Sequence, residues 1–173
     1  MNPPLVYAFF AGSDGLNFVK QYKEFGLKDN IKLAGSGSTV DDDILQQQGD
    51  AAVGIINGMD YALSLDNPEN KKFKSDYQTR FKQSPDGYAA RGYDAGKVIV
   101  EAINKVQGNT SDKLKLIDAM VATKFNGPRG PFAIDPETQN IIMDVYLREV
   151  KMVNGKPDNV VFDVVKGVKD PGK

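Results

Sequence analysis

Short apolar runs alternate with stretches of helical period through the first third of the chain. Leu5-Val6-Tyr7-Ala8-Phe9-Phe10 is continuous and apolar, the mark of a strand covered on both faces. It ends at Ala11-Gly12-Ser13-Asp14-Gly15. Phe18, Val19, Tyr22 and Phe25 then share one helix face, and Gly26 stands where a C-terminal cap belongs. Ile31-Lys32-Leu33-Ala34 predicts a second strand. Gly35-Ser36-Gly37-Ser38-Thr39 follows, then a helix from Val40 to Gln48. Thr39 with Asp42 fits a capping box there, and Asp41 to Asp43 suit the positive end of the helix. Val53-Gly54-Ile55-Ile56-Asn57 predicts a third strand. Residues 5–57 therefore read β-α-β-α-β, which implies parallel strands.

The pattern changes after Asn57. Asp66-Asn67-Pro68-Glu69 signals a helix start, and Phe73, Tyr77 and Phe81 recur at a spacing that predicts a core face on a helix ending near Lys82. A break at Ser84-Pro85-Asp86-Gly87 precedes the longest predicted helix, Tyr88 to Val106, with Tyr88, Gly92, Ala95, Ile99, Ala102, Ile103 and Val106 on its buried side. Asp112 to Ala122 predicts another, with Leu114, Ile117, Met120 and Val121 inward. Pro131 to Ile134 reads as a strand before a turn at Asp135-Pro136-Glu137-Thr138. Met143 to Met152 and Asn159 to Val165 read as a hairpin around Val153-Asn154-Gly155-Lys156, since Asn-Gly is a strong hairpin signal. Lys166 to Lys173 reads as a frayed end.

The helices between Pro68 and Ala122 follow one another without an intervening strand. Either they pack as a bundle or the sheet they cover lies in other sequence. The chain also opens almost at once on an apolar strand. Both features lead to the expectation of part of a longer protein.

Composition narrows the chemistry. The 22 basic and 23 acidic residues leave a net charge of −1, without the basic stripe that nucleic-acid binding requires. The sequence has no Cys, His or Trp, which excludes thiolate metal sites, imidazole bases and Ser-His-Asp catalysis together. No run reaches the length of a membrane span, and Met1-Asn2-Pro3-Pro4 lacks the features of a signal peptide.

Two loops follow strands of the expected parallel sheet, where ligands bind in such folds. Ala11-Gly12-Ser13-Asp14-Gly15 offers free N–H groups and small side chains; position alone leaves a plain βα turn equally open. Gly35-Ser36-Gly37-Ser38-Thr39 lacks the lysine of a phosphate loop. Its hydroxyls suit a carboxylate or another polar group; a flexible loop with a helix cap is the plain alternative. In Tyr88-Ala89-Ala90-Arg91-Gly92-Tyr93-Asp94-Ala95, spacing favours core tyrosines, with Arg91 free to meet an anion or Asp94. Successive aspartates at Asp41 to Asp43 diverge around a helix and do not form a metal site.

The succession Val6-Tyr7-Ala8-Phe9-Phe10-Ala11-Gly12, Phe25-Gly26-Leu27, Leu33-Ala34-Gly35-Ser36-Gly37 and Gly49-Asp50-Ala51-Ala52-Val53-Gly54 resembles the branched-chain amino-acid binding proteins. Tyr88 to Ala95, Phe125-Asn126-Gly127-Pro128-Arg129-Gly130 and the Asn154-Gly155-Lys156 turn continue the resemblance over nearly the whole chain, in order.

The resemblance implies an α/β type I periplasmic-binding fold of two lobes joined by crossovers. It places residues 1–60 in the second lobe, 61–125 in the helical part of the first, and 126–173 in a crossover and strands returning to the second. A hinge falls at Met59, Asp60 and Tyr61. Ligand contacts carry over to Ala11, Gly12 and Ser13, to Ser36, Gly37 and Ser38, and to Tyr93. Amino-acid binders often hold the ligand ammonium with an acid at the place matching Ser36. A serine there fits an aromatic or other organic acid better.

The function implied is capture of a small molecule in the periplasm by lobe closure and delivery to an ABC permease, with no cofactor, metal, nucleic acid or catalysis. A doubly wound enzyme acting on a phosphorylated metabolite, with Asp14 or Asp60 as its acid–base group, is the alternative, beside a sensory domain of the same fold. The exposed helix faces predict that the isolated chain self-associates.

Overall fold

Apolar residues at strand and helix spacing collect into two compact units in the computed structural model, which describes residues 3–172. Met1 and Asn2 of the opening read for a leader, and Lys173 of the expected frayed end, lie outside the described residues. The first unit takes the chain through Ser64 and returns over Val145–Val164; the second takes Leu65–Asp144 and resumes at Val165. Among the described residues no helix is long and apolar enough to cross a membrane.

In the first unit, β1 (Leu5–Ala8), α1 (Gly12–Glu24), β2 (Lys32–Ser36), α2 (Asp42–Gln48) and β3 (Ile56–Met59) follow the order the sequence predicts. β1 runs parallel to β2, with Val6 opposite Leu33, and β2 runs parallel to β3. The long strand β6 (Ile141–Val153) adds antiparallel to β3, with Met59 opposite Tyr146. Val19, Tyr22, Leu33, Val40, Leu45, Ala52, Ile55 and Val150 form the core between sheet and helices. Gly26 closes α1 with φ of +68°, a conformation that favours glycine.

Three expectations fail here. β1 is not covered on both faces: Ala8 is buried, but Leu5 and Tyr7 are exposed, and among the described residues β1 pairs with β2 alone. Phe25 is exposed, since α1 ends at Glu24 and Phe25 caps it. The capping box at Thr39 does not form. A 3-10 turn, Gly37–Val40, comes first, and Asp41 caps α2 by accepting from the Asp42 N–H at 2.9 Å.

The second unit holds α3 (Pro68–Phe81), α4 (Gly87–Lys105), α5 (Lys113–Val121), β4 (Lys124–Gly127), β5 (Gly130–Ile134) and the start of β6. The helix start predicted at Asp66–Glu69 forms: Asn67 caps α3, its Oδ1 accepting from the Asn70 N–H at 2.6 Å, with Pro68 in the first turn. β4 is a strand the sequence reading missed. It forms an antiparallel hairpin with β5, and β5 pairs antiparallel with β6 through Phe132 and Met143. The helices are therefore not without a sheet: α3 packs on β4, α5 on β5, and α4 on α5.

Burial on these helices differs from expectation. α4 buries Ala90, Asp94, Val98 and Ala102, while Tyr88, Gly92, Ala95 and Ile99 are exposed. Leu114 and Ile117 of α5 and Phe81 of α3 are exposed as well, although Phe73 is buried. On α4 the buried stripe of small residues carries Asp94, whose carboxylate turns inward to meet Arg129. β7 (Lys156–Val168) pairs with β6 around the Asn154-Gly155 turn, where φ is +50° and +78°, as a two-residue hairpin demands. The strand reaches Val168, so the expected frayed end is ordered strand over its first part.

Candidate functional site

The two small-residue loops stand at the carboxyl ends of β1 and β2, and one side chain joins them. The Thr39 hydroxyl accepts from the Phe10 N–H at 3.2 Å and offers its own proton to the Phe10 or Ala8 carbonyl, at 3.3 and 3.4 Å. The Gln48 side-chain amide donates to the Gly15 carbonyl at 3.1 Å and to the Thr39 carbonyl at 2.8 Å. Close approach requires glycine here: a Cβ on Gly35 would lie 2.4 Å from the Ala8 carbonyl oxygen. Thr39 thus ties the loops together rather than capping a helix.

Ala11 is the N-terminal cap of α1, and Gly12 and Ser13 form its first turn; all three are exposed. The Ala11 methyl cannot accept, so the cap residue makes no side-chain hydrogen bond to the first N–H groups of the helix. Ser36 ends β2, and its Oγ accepts from the Ser38 N–H at 3.3 Å. Gly37 is buried, and Ser36 and Ser38 are half-buried. No ionisable side chain occurs within either Ala11–Ser13 or Ser36–Ser38.

Tyr93 belongs to the second unit. It is 48% exposed, and its ring lies 5.2 Å from buried Phe73 at an angle of 58°. Tyr88 is exposed too, so neither tyrosine is a core residue. Arg91 lies over the Tyr88 ring at 5.5 Å, and Asp94 pairs with Arg129 at 2.7 Å. Met59 closes β3, and Asp60 and Tyr61 continue to the end of the first unit's opening segment; Tyr61 is fully buried.

Beneath the second loop lies a buried polar network that sequence reasoning missed. Arg148 of β6 is fully buried. Its Nε donates to Asn57 Oδ1 at 2.8 Å and its Nη1 to the Tyr61 carbonyl at 2.6 Å. Asn57 Nδ2 donates to Asn159 Oδ1 at 3.0 Å, and Asn159 Nδ2 donates to the Val40 carbonyl at 2.9 Å and Asp42 Oδ1 at 3.0 Å. Burial pushes the Asp42 carboxyl up to about 6; Asn159 and Arg148 oppose the shift, while Asp41 and Asp158 add to it. One signal pointed here: Asp144, Tyr146, Arg148 and Val150 alternate along β6 and share its buried face. Among the described residues no group of three or more carboxylate, thiol or imidazole side chains is arranged to hold a metal ion.

The sequence and fold are similar to those of known proteins. A family model described as "Periplasmic binding protein" matches residues 2–157. The Leu/Ile/Val-binding protein homolog 6 of Brucella melitensis is 33% identical over 96% of this chain and 44% of its own length. An ABC transporter substrate-binding protein from Sphaerobacter thermophilus superposes with a TM-score of 0.91 at 35% identity, over 95% of this chain and 45% of the other. A solute binding protein of an ABC transporter from Rhodopseudomonas palustris BisB5, in complex with 3,4-dihydroxy benzoic acid, superposes with a TM-score of 0.90 at 39% identity, over 98% of this chain and 47% of the other. The chain spans about half the length of the relatives it matches. It has the type I periplasmic-binding fold and belongs to the periplasmic binding protein family.

Proposed function

We propose that this chain forms the C-terminal part of a two-lobed extracytoplasmic receptor that captures a small organic acid, an aromatic one by preference, and delivers it to an ABC permease. In this reading, residues 1–60 belong to the second lobe and 61–125 to the helical part of the first, and 126–173 form a crossover and strands that return to the second. Met59, Asp60 and Tyr61 carry the hinge, and capture is by lobe closure without covalent chemistry. Ala11, Gly12, Ser13, Ser36, Gly37 and Ser38 line the second lobe's side of the ligand site, and Tyr93 contributes from the first. Membership of the periplasmic binding protein family supports the permease partner and the periplasmic location.

The observation that carries the reading is the pair of small-residue loops at the carboxyl ends of parallel strands, joined by Thr39, with no carboxylate within Ala11–Ser13 or Ser36–Ser38. Backbone N–H groups and hydroxyls there suit an oxygen-rich ligand. An ammonium held beside Ser36 would lack a counter-charge, at a cost of several kcal/mol. A tyrosine buttressed by Phe73 offers a flat ring for an aromatic partner. The dihydroxybenzoate bound by the relative from Rhodopseudomonas palustris supports the same class. The name of the Brucella melitensis relative supports a second reading, in which the ligand is a branched-chain amino acid.

A thermal-shift screen of the longer receptor against benzoates and amino acids decides between them. Stabilisation by benzoates, reduced more than about threefold in affinity by Ser36→Ala and by Tyr93→Ala, or roughly 0.7 kcal/mol, is the expected result. Unchanged affinity in both variants would refute the site.

A further inference from the structure

We propose that Arg148 is a positioning residue that couples the Ser36–Ser38 loop to the strand exit at Met59–Tyr61 through one buried guanidinium. The inference rests on the reading of that loop as part of the ligand site.

Three segments meet on this side chain. Its Nε reaches Asn57 within β3, and its Nη1 reaches the Tyr61 carbonyl just beyond β3. The third segment is the loop itself. A Cβ on Gly37 would lie 2.8 Å from Arg148 Nη2, 2.6 Å from Met59 Sδ and 2.7 Å from Met59 Cβ. Gly37 therefore rests directly on the guanidinium and on the last residue of β3. The far end of the loop is tied to the same group. Asn57 passes the contact to Asn159, and Asn159 holds the Val40 carbonyl and Asp42. Both ends of the segment from Gly37 to Asp42 are referenced to Arg148.

Chemistry argues that this is more than packing. A buried guanidinium costs desolvation that an apolar side chain of the same volume would avoid. What it supplies is a rigid planar fork with donors in fixed directions, which a lysine ammonium cannot reproduce. A displacement of the loop of a few tenths of an ångström moves Gly37 against the fork, and the fork holds the Tyr61 carbonyl. The loop and the exit thus cannot shift independently.

Amide hydrogen exchange on the 173-residue chain tests the coupling without any ligand. Arg148→Lys speeds exchange at least tenfold both at Gly37–Thr39 and at Tyr61–Leu63, while Val19 and Leu33 keep their protection. Gly37→Ala presses on the same group from the other side and gives the same remote effect at Tyr61–Leu63. Remote effects confined to one segment in both variants, or uniform loss of protection, would overturn the proposal. Calorimetry of the longer receptor with 3,4-dihydroxybenzoate then reads the consequence: Arg148→Lys weakens binding at least tenfold, and unchanged affinity overturns the positioning role. If the unaltered receptor bound no benzoate, the ligand class would fail, while the exchange experiment would still decide the coupling.

Discussion

Arg129 Nε donates to Asp94 Oδ2 across 2.7 Å, with both side chains almost wholly buried in the second unit. The pair fastens the middle of α4 to the turn between β4 and β5. It stands beside Gly127, where a Cβ would lie 2.6 Å from Asp94 Oδ1. Removing one member of a buried pair strands the charge of the other. Arg129→Met is expected to destabilise the chain by about 3–5 kcal/mol. Combining it with Asp94→Leu, which removes both charges, should recover much of that loss. Urea unfolding of the single and double variants measures the difference; equal losses in the two would show that charge burial is not the cause.

Asp42 makes the first unit sensitive to mild acid in an unusual direction. Its folded carboxyl sits near 6, above its ordinary value of 3.8. A carboxyl raised in the folded state contributes stability that is complete below 3.8 and is lost as pH rises through about 6. The whole shift corresponds to about 3 kcal/mol; screening at this half-buried position brings the expected effect to about 1–2 kcal/mol. Asp42→Asn should therefore be more stable than the unaltered chain at pH 7.5 and indistinguishable from it near pH 4. Denaturant midpoints at the two pH values check the sign.

Glycines separate into those that crowd and those that do not. Gly35→Ala would drive its Cβ to 2.4 Å from the Ala8 carbonyl oxygen and force β1 away from β2. A loss of about 1–3 kcal/mol is expected. In contrast, a Cβ on Gly92 or Gly96 meets nothing within 4 Å on the exposed side of α4. Gly92→Ala and Gly96→Ala should each raise stability by up to about 1 kcal/mol through helix propensity. Thermal unfolding of the 173-residue chain provides all three values.

Much of this fold is legible in local chemistry. The Asn67 cap, the Asn154-Gly155 turn and the parallel β-α-β-α-β order each depend on a few neighbouring residues, and the structure contains them all. What the sequence hid depends on distant partners. Asp94 is buried against Arg129, 35 positions later, while Tyr88 and Ile99, read as core by their spacing, are exposed. Thr39 reads as a cap until β1 is placed beside it, and Arg148 lies in the inward alternation of β6 without a local signal of its partners. The loops of the candidate site were visible because small residues after a strand report backbone geometry. The network beneath them was not, because no short spacing links residues 57, 148 and 159.

The exposed face of α4, with Tyr88, Ile99 and Val100, and Phe81 at the end of α3 should make the isolated chain self-associate. Sedimentation velocity should show a mass that rises with concentration, and Ile99→Lys should lower it. A monomer at every concentration would count against this expectation.

The most direct test is calorimetry of the longer receptor titrated in parallel with 3,4-dihydroxybenzoate and with leucine. Without a carboxylate at Ser36, an ammonium is uncompensated by several kcal/mol, which corresponds to an affinity difference of roughly a hundredfold or more. The prediction is saturable binding of the benzoate at that margin over leucine. Tight binding of leucine with none of the benzoate would contradict it.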